Sequence, residues 1–129
     1  MSELPGEVHG RLQRLVSALT IFVYIENILS MFDLSNIVGF DWDEGNSRKS
    51  QERHDVSQAE AEQVFFNEPL LLLLDEKRSA NESRYHAYGK TDNKRKLHIA
   101  FTLRDEDTLI RVISARNMHR KERLVYEKA

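Results

Sequence analysis

The sequence predicts an α+β domain in which two helices precede an antiparallel sheet of about four strands and a third helix follows it. The chain of 129 residues is long enough for one compact domain and too short for two ordinary ones. Between residues 70 and 114, short segments rich in β-forming side chains alternate with polar loops, whereas the flanking segments have helical features. This order favours helices packed on one side of a sheet.

An apolar segment at residues 15–32 precedes this domain. A membrane anchor or a signal peptide is the alternative to a packing helix. A span needs about 20 predominantly apolar residues, whereas Glu26 and Asn27 interrupt this segment, and no small-residue cleavage site follows it. Its apolar side chains recur at helical spacing, which favours a packing helix. We therefore predict an N-terminal extension over residues 1–39, containing this extra apolar helix, and a domain over residues 40–129.

Two capping patterns place the helices that precede the sheet. Asp43 can cap a charged helix that ends near His54, because its carboxylate can accept the free N–H groups of a first turn. Ser57 and Glu60 have the spacing of a capping box, and the helix that they begin should end before Pro69. The last predicted helix covers residues 118–126, after the sheet.

Four segments are predicted as strands: residues 70–75, 84–90, 97–103 and 109–114. In the third of them, apolar side chains alternate with polar or small ones, which is typical of a strand with one buried face. Short polar turns join the last three strands. Because a parallel pair would need a long crossover connection, these turns predict antiparallel pairing.

On each of two neighbouring strands, polar residues occupy alternate positions, and this pattern is consistent with a functional surface. The first strand contributes Arg84, His86, Tyr88 and Lys90, and the second contributes His98, Thr102 and Arg104. If the two sides coincide, the following residues could border them: Arg111, Arg116, Arg120, Lys121 and Arg123. Guanidinium groups suit phosphate, and aromatic or imidazole rings can stack on unpaired bases. The alternative is the ordinary solvent face of an antiparallel sheet.

Composition and charge exclude several classes of function. The chain has no cysteine, so it has neither a disulfide framework nor a thiolate zinc site nor a cysteine nucleophile. Its five histidines are scattered without the spacing of a metal site, it has no glycine-rich phosphate loop, and we expect no cofactor. Residues 84–129 contain 12 Lys and Arg against 6 Asp and Glu, whereas residues 1–83 contain 7 against 15. This basic C-terminal half is consistent with a face that meets phosphate, although ordinary solvated charge gives the same asymmetry.

Short motifs in a fixed order carry a resemblance to a known family. They are Phe40-Asp41-Trp42-Asp43, Arg53-His54, Glu60-Ala61-Glu62-Gln63-Val64-Phe65-Phe66-Asn67, Leu70 to Leu72, Arg84-Tyr85, Ala87, Gly89-Lys90-Thr91, Phe101-Thr102-Leu103-Arg104, Arg111-Val112-Ile113-Ser114-Ala115-Arg116 and Arg120-Lys121-Glu122-Arg123. In this order and spacing, residues 40–126 resemble the BrnT toxin family, which belongs to the wider RelE-like group.

The resemblance implies a RelE-like fold and a cytoplasmic, metal-independent endoribonuclease that inhibits translation. It also implies a BrnA-like ribbon-helix-helix antitoxin that covers the toxin and makes the contacts to operator DNA. The active-site residues that it implies are Arg84, Arg104 and Arg116, with His54 and Glu62 as candidates for proton transfer. From their place on the strands and the last helix, Tyr88, Lys90, Arg111 and Arg120 are the expected RNA-binding residues.

The sequence departs from the family pattern at three places. Arg53-His54-Asp55 stands where Lys-His-Gly is common, Lys77-Arg78-Ser79 stands where Lys-His-Ser is frequent, and Ser50 replaces a usual asparagine. Asp55 lacks the freedom of glycine at an expected helix end, although aspartate tolerates the left-handed conformation better than most residues. These changes leave open a second hypothesis, a non-catalytic or attenuated module that only binds its antitoxin and helps to regulate their operon. A third hypothesis makes the apolar N-terminal segment a membrane anchor.

Overall fold

The computed structural model describes residues 36–79 and 81–129 of the chain. The predicted apolar helix of the N-terminal extension lies outside these residues. Within them, no helix is both long and apolar enough to cross a membrane.

The centre of the fold is a mixed sheet of five strands in the order β1-β5-β4-β3-β2. The strands are β1 Gly39–Trp42, β2 Leu71–Leu74, β3 Arg84–Lys90, β4 Lys96–Arg104 and β5 Leu109–Asn117. The antiparallel pairing of the last three strands is confirmed, and the predicted strand at residues 84–90 is correct residue for residue.

The prediction of a four-strand, purely antiparallel sheet is wrong because it omits β1. This strand has only four residues and pairs parallel with β5, from Gly39 opposite Leu109 to Trp42 opposite Val112. A strand of four residues is at the lower limit of the length at which alternation indicates a strand in a sequence. The long connection that a parallel pair requires is supplied by the rest of the domain, which lies between β1 and β5.

The three predicted helices within the domain are present: α1 Glu44–His54, α2 Gln58–Val64 and α3 Arg120–Tyr126. The side chain of Asp43 accepts the N–H of Asn46 at 2.9 Å. Ser57 and Glu60 form the predicted capping box at the start of α2. Asp55 ends α1 with a φ of 53°, so aspartate adopts the left-handed conformation expected of glycine there. A short 3₁₀ helix, Glu76–Arg78, follows β2.

The hydrophobic core lies between one face of the sheet and helix α2. Leu97, Ile99 and Phe101 of β4 are fully buried, and Phe101 meets the ring of Phe65 edge to face at 5.2 Å. Gly89 of β3 allows this close approach, because a Cβ at this position would lie 2.7 Å from a side-chain carbon of Val64 in α2. We refer to this side as the core face of the sheet.

Helix α1 lies beside β5 at the edge of the sheet, beyond the end of β1. The hydroxyl of Ser50 accepts the backbone N–H of Ala115 at 3.1 Å, and Ser50 is only 2% exposed. This side chain thus satisfies a donor of β5 beyond the end of β1, where the backbone would otherwise be left unpaired. Ser50, a departure from the family pattern, therefore has a clear structural role.

The expectation that all helices lie on one side of the sheet is wrong for α3. Glu122 of α3 binds Arg116, which points away from the core neighbour Ala115 on β5. The hydroxyl of Tyr126 donates to the carbonyl of Pro69 at 2.6 Å and holds the end of the helix beside β2. Helix α3 therefore lies on the face opposite the core face, which we call the polar face.

Candidate active site

The register of the strands brings the predicted polar side chains to one face. Tyr88 of β3 lies opposite His98 of β4, which lies opposite Arg116 of β5. Arg84 lies opposite Thr102 in the same way. Because paired residues point to the same side of a sheet, the two polar sides coincide, which is the condition on which the functional surface considered from the sequence depends.

A cavity of about 490 Å³ opens on this polar face. Positively charged side chains from four different elements border it: Lys49 of α1, Lys77 and Arg78 of the 3₁₀ helix, Arg84 of β3 and Arg116 of β5. Asp75, His86 and His98 form the remaining titratable part of its lining. The cavity thus combines a surplus of fixed positive charge with two imidazoles.

The three arginines predicted for the active site differ in their partners. Arg116 makes a two-pronged contact with the carboxylate of Glu122, at 2.8 and 3.0 Å. Arg104 bonds Glu82 at 3.1 Å, and its buried Nε atom has no partner in the described part of the chain. Arg84 has no acidic partner among the described residues, so its guanidinium is available for an anionic ligand.

Two histidines and one aspartate form a hydrogen-bonded chain along the cavity. Nε2 of His86 lies 3.0 Å from Oδ2 of Asp75, and Nδ1 of His86 lies 2.7 Å from Nε2 of His98. The centroids of the two imidazole rings lie 4.8 Å apart, and the ring planes are inclined to each other by 29°. Nδ1 of His98 is buried and has no hydrogen-bond partner within the described structure.

Burial and nearby charges determine the protonation of these groups. Burial, followed by the positive charge of Arg116, lowers the pKa of His98 to about 3, so this imidazole is neutral near pH 7. Burial alone would raise the pKa of Asp75, but hydrogen bonds from His86 and from the backbone of Arg78 outweigh it and lower that pKa. The chain therefore ends in an ionised carboxylate at Asp75.

The bidentate contact from Arg116 is the largest cause that lowers the pKa of Glu122, to about 2. The backbone N–H of His119 also donates to this carboxylate, at 2.7 Å. Burial, followed by the negative charge of Glu122, raises the pKa of Tyr88. Helix α3 thus brings an acid that is ionised near neutral pH into contact with Arg116, which lines the cavity, and holds this arginine in place.

Two predicted proton-transfer residues are not part of the cavity lining. Glu62 accepts the indole N–H of Trp42 at 2.8 Å, which links α2 to β1. His54 ends α1, and its backbone carbonyl accepts a hydrogen bond from Arg95 at 3.0 Å. The structure therefore does not bring either residue together with the arginines of the polar face.

The predicted RNA-binding residues are spread around the polar face. Arg111 pairs with Asp41 of β1 at 2.8 Å, near the edge of the sheet. The ring of Tyr88 packs on His98 with centroids 4.9 Å apart. Lys90 ends β3, and Arg120 is exposed at the start of α3. None of these four is among the residues that line the cavity.

Four charged residues of the cavity lining were not predicted from the sequence as part of a site: Lys49, Asp75, Lys77 and Arg78. His86 and His98 were placed on the polar face but received no role. The alternation of β3 and β4 was sufficient to find the two histidines on the same face. Asp75 is 11 residues from His86 and comes after a different strand, so only the sheet register reveals this pairing.

Among the residues that the structure describes, no cluster of three or more His, Asp or Glu side chains could hold a metal ion. The two imidazoles of the cavity bond each other directly at 2.7 Å. That contact occupies both facing nitrogens with a shared hydrogen.

Comparisons with known proteins find a matching family model and a similar solved structure. The family model described as the ribonuclease toxin BrnT of type II toxin-antitoxin systems matches residues 42–122. The crystal structure of the Brucella abortus ribonuclease toxin BrnT is similar to this chain with a TM-score of 0.49 and 18% sequence identity, over 64% of this chain and 97% of that one. No curated protein matches the sequence significantly.

Proposed function

Because the chain belongs to the BrnT family of ribonuclease toxins of type II toxin-antitoxin systems, we propose that it is an endoribonuclease that cleaves RNA in the cavity of the polar face. One observation carries the choice of this site. Arg84, Lys49 and Lys77 border the cavity without an acidic partner among the described residues, beside two imidazoles. Uncompensated cations on a concave surface are suited to a phosphodiester.

The proposed reaction needs no metal, because RNA carries its own nucleophile. The 2′-hydroxyl attacks the adjacent phosphorus once a base accepts its proton, and cations stabilise the negative charge that develops on the phosphate oxygens. The forked guanidinium of Arg84 is the best placed to bind two of these oxygens. Lys49 and Lys77 add positive charge from two other elements, so the phosphate would be held from several directions.

Arg116 and Arg104 have different roles in this proposal. Glu122 orients Arg116 toward the cavity and neutralises part of its charge, so Arg116 positions the ligand more than it attracts it. Arg104 lies beyond Arg84 on the same face and would contact a flanking phosphate. Tyr88, Lys90, Arg111 and Arg120 extend the surface along which the RNA strand would continue.

We also propose the biological setting that the family implies. The toxin acts in the cytoplasm, inhibits translation by degrading RNA, and is neutralised by a BrnA-like ribbon-helix-helix antitoxin. Operator DNA is bound through the antitoxin. A type II system pairs a toxin protein with an antitoxin protein, which supports an antitoxin as the partner. The basic surface of the toxin supports RNA as the substrate.

Expression of the toxin alone tests this proposal. Parent, Arg84→Ala and the control Lys94→Ala would be induced at matched levels, and growth and the integrity of total RNA would be followed. Lys94 lies in an exposed turn between β3 and β4, so its variant removes one charge away from the cavity. We expect the parent and the control to arrest growth and degrade RNA, and Arg84→Ala to do neither. Normal growth and intact RNA with folded parent would instead support a purely antitoxin-binding module.

A further inference from the structure

The hydrogen-bonded chain of Asp75, His86 and His98 has no part in phosphate binding, yet it lies in the same cavity as Arg84. The three side chains are held by direct contacts at 3.0 and 2.7 Å. Their side chains are mostly shielded, with 11% of Asp75 and 25% of His86 exposed, and His98 is 6% exposed as a residue. A buried, connected set of titratable groups beside a reactive site commonly serves proton transfer.

The hydrogen-bond network fixes where the protons lie. The carboxylate of Asp75 only accepts, so Nε2 of His86 must carry a hydrogen. When His86 is neutral, its Nδ1 is then an acceptor, and Nε2 of His98 must donate to it. This assignment leaves Nδ1 of His98 as a free lone pair, and it is the buried atom that has no partner in the described structure.

We propose that Asp75, His86 and His98 form a proton relay that accepts the proton of the attacking 2′-hydroxyl. The inference rests on the proposed ribonuclease function and names its base. As the bond from O2′ to phosphorus forms, the O2′–H proton passes to Nδ1 of His98. The hydrogen on Nε2 of His98 crosses to Nδ1 of His86. The bond from phosphorus to O5′ breaks, and O5′ leaves with the electron pair and takes a proton from solvent water.

The electrostatics of the cavity explain why two histidines are needed. Positive charge is unfavourable on His98, because this residue is buried and lies near Arg116. On His86, by contrast, the same charge lies 3.0 Å from the carboxylate of Asp75. The relay thus receives the proton at one imidazole and holds the charge on the other.

The roles of the three residues follow from this arrangement. His98 is the catalytic residue in this proposal: its ring lines the cavity, and its Nδ1, which is buried in the free protein, must become exposed when RNA binds. Hydrogen bonds in an unliganded active site commonly tighten only in the substrate complex. His86 and Asp75 are positioning residues that act through His98. Asp75 is itself fixed, because it accepts the backbone N–H of Arg78 at 3.2 Å.

Charged and titratable groups face the relay from every neighbouring element. They are Lys49 of α1, Lys77 and Arg78 of the 3₁₀ helix, Arg84 and Tyr88 of β3, Arg116 of β5, His119 immediately before α3, and Glu122 of α3. His119 is the other imidazole of this group. The variant His119→Gln therefore serves as the matched control for any pH dependence.

The test is a pH profile of RNA cleavage by the purified full-length chain. Single-turnover rates would be measured from pH 5 to 9 on a single-stranded RNA of mixed sequence, with the 2′-O-methyl form of the same RNA as a blank. The parent, His98→Gln, Asp75→Asn and His119→Gln would be compared, and thermal unfolding would establish that each is folded. Asparagine also caps helices well, so Asp75→Asn retains the start of the 3₁₀ helix.

We expect His98→Gln to lower the rate by roughly 100-fold or more, the usual contribution of a general base. Asp75→Asn should shift the acidic inflection of the profile to lower pH, because the imidazolium of His86 loses its carboxylate. His119→Gln should match the parent.

If the parent cleaves and both relay variants keep its rate and profile, the relay is wrong and the ribonuclease proposal stands. If the folded parent cleaves no RNA, the ribonuclease proposal itself fails. Should His98→Gln not fold, the profile of Asp75→Asn decides alone.

Discussion

The two faces of β4 are almost equally buried, but different interactions stabilise them. On the core face, Ile99 and Phe101 have no exposed surface and belong to the hydrophobic core cluster. On the polar face, His98 is 6% exposed and Thr102 2%, and each is held by a hydrogen bond to a distant residue. The hydroxyl of Thr102 donates to the carbonyl of Ser83 at 2.8 Å. The polar face is therefore an organised interior surface at β4, in contrast to the solvent face that the alternation alone would allow.

The largest expected effect comes from removing an aromatic ring of the core face. Phe101 is fully buried between Phe65 and Tyr85, at centroid distances of 5.2 and 5.4 Å. Phe101→Ala should lower the free energy of unfolding by about 3 to 5 kcal/mol, because it removes apolar contact and leaves a cavity. Urea denaturation measures the loss.

Arg104→Ala is the matched change on the other face of the same strand. Arg104 pairs with Glu82 on the surface, with 40% of its side chain exposed. Surface ion pairs contribute little, so this variant should lose no more than about 1 kcal/mol. Equal losses for the two variants would contradict the view that the core face of β4 dominates stability.

A smaller effect is expected where β3 passes beneath α2. In Gly89→Ala, the new Cβ would lie 2.7 Å from a methyl carbon of Val64 and 3.2 Å from the Val64 carbonyl oxygen. Relieving this overlap requires α2 to shift, at a cost of about 1 to 3 kcal/mol. The double-mutant cycle with Val64→Ala isolates the clash. Gly89→Ala should cost less in the Val64→Ala background, and equal costs in both backgrounds would locate the strain elsewhere.

Most of the fold could be predicted from local patterns. The caps at Asp43 and Ser57 and the alternation over residues 97–103 are local signals, and each corresponds to an observed element. Strand β1 could not be predicted in this way, because its pairing with β5 joins residues about 70 positions apart. The side on which α3 packs depends on long-range contacts such as Glu122 with Arg116 and Tyr126 with Pro69.

Only the part of the candidate site on β3 and β4 could be predicted from the sequence, because the rest depends on long-range contacts. Parity along β3 and β4 placed Arg84 with the histidines, and the sheet confirms that grouping. Lys49 and Asp75 come from other elements, and only the tertiary structure brings them to the cavity. Glu62 was chosen by resemblance to the family, but a residue's place in a motif does not reveal that its carboxylate faces an indole.

The smallest expected effect concerns the ion pair that links α3 to the polar face. Arg116 lowers the pKa of Glu122 from 4.5 to about 2. A carboxyl whose pKa is depressed by folding stabilises the protein above its unfolded pKa and loses that contribution as the pH falls through its folded pKa. The parent should therefore have a higher free energy of unfolding than Glu122→Gln by an amount that is constant above about pH 5. This difference should shrink as the pH falls from 4.5 toward 2.

Thermal unfolding at a series of pH values measures this difference, and Glu127→Gln provides the control. Glu127 follows α3, near the same end of the chain. Its hydrogen bond with Lys96 also lowers the pKa of its carboxyl, but 49% of its side chain is exposed. Solvent screens such a pair, so its variant should show a weaker dependence of the same sign. A pH-independent difference between parent and Glu122→Gln would mean that packing, and not the charge of Glu122, holds α3 against Arg116. In that case the orientation of Arg116 toward the cavity would depend on the shape of the helix alone.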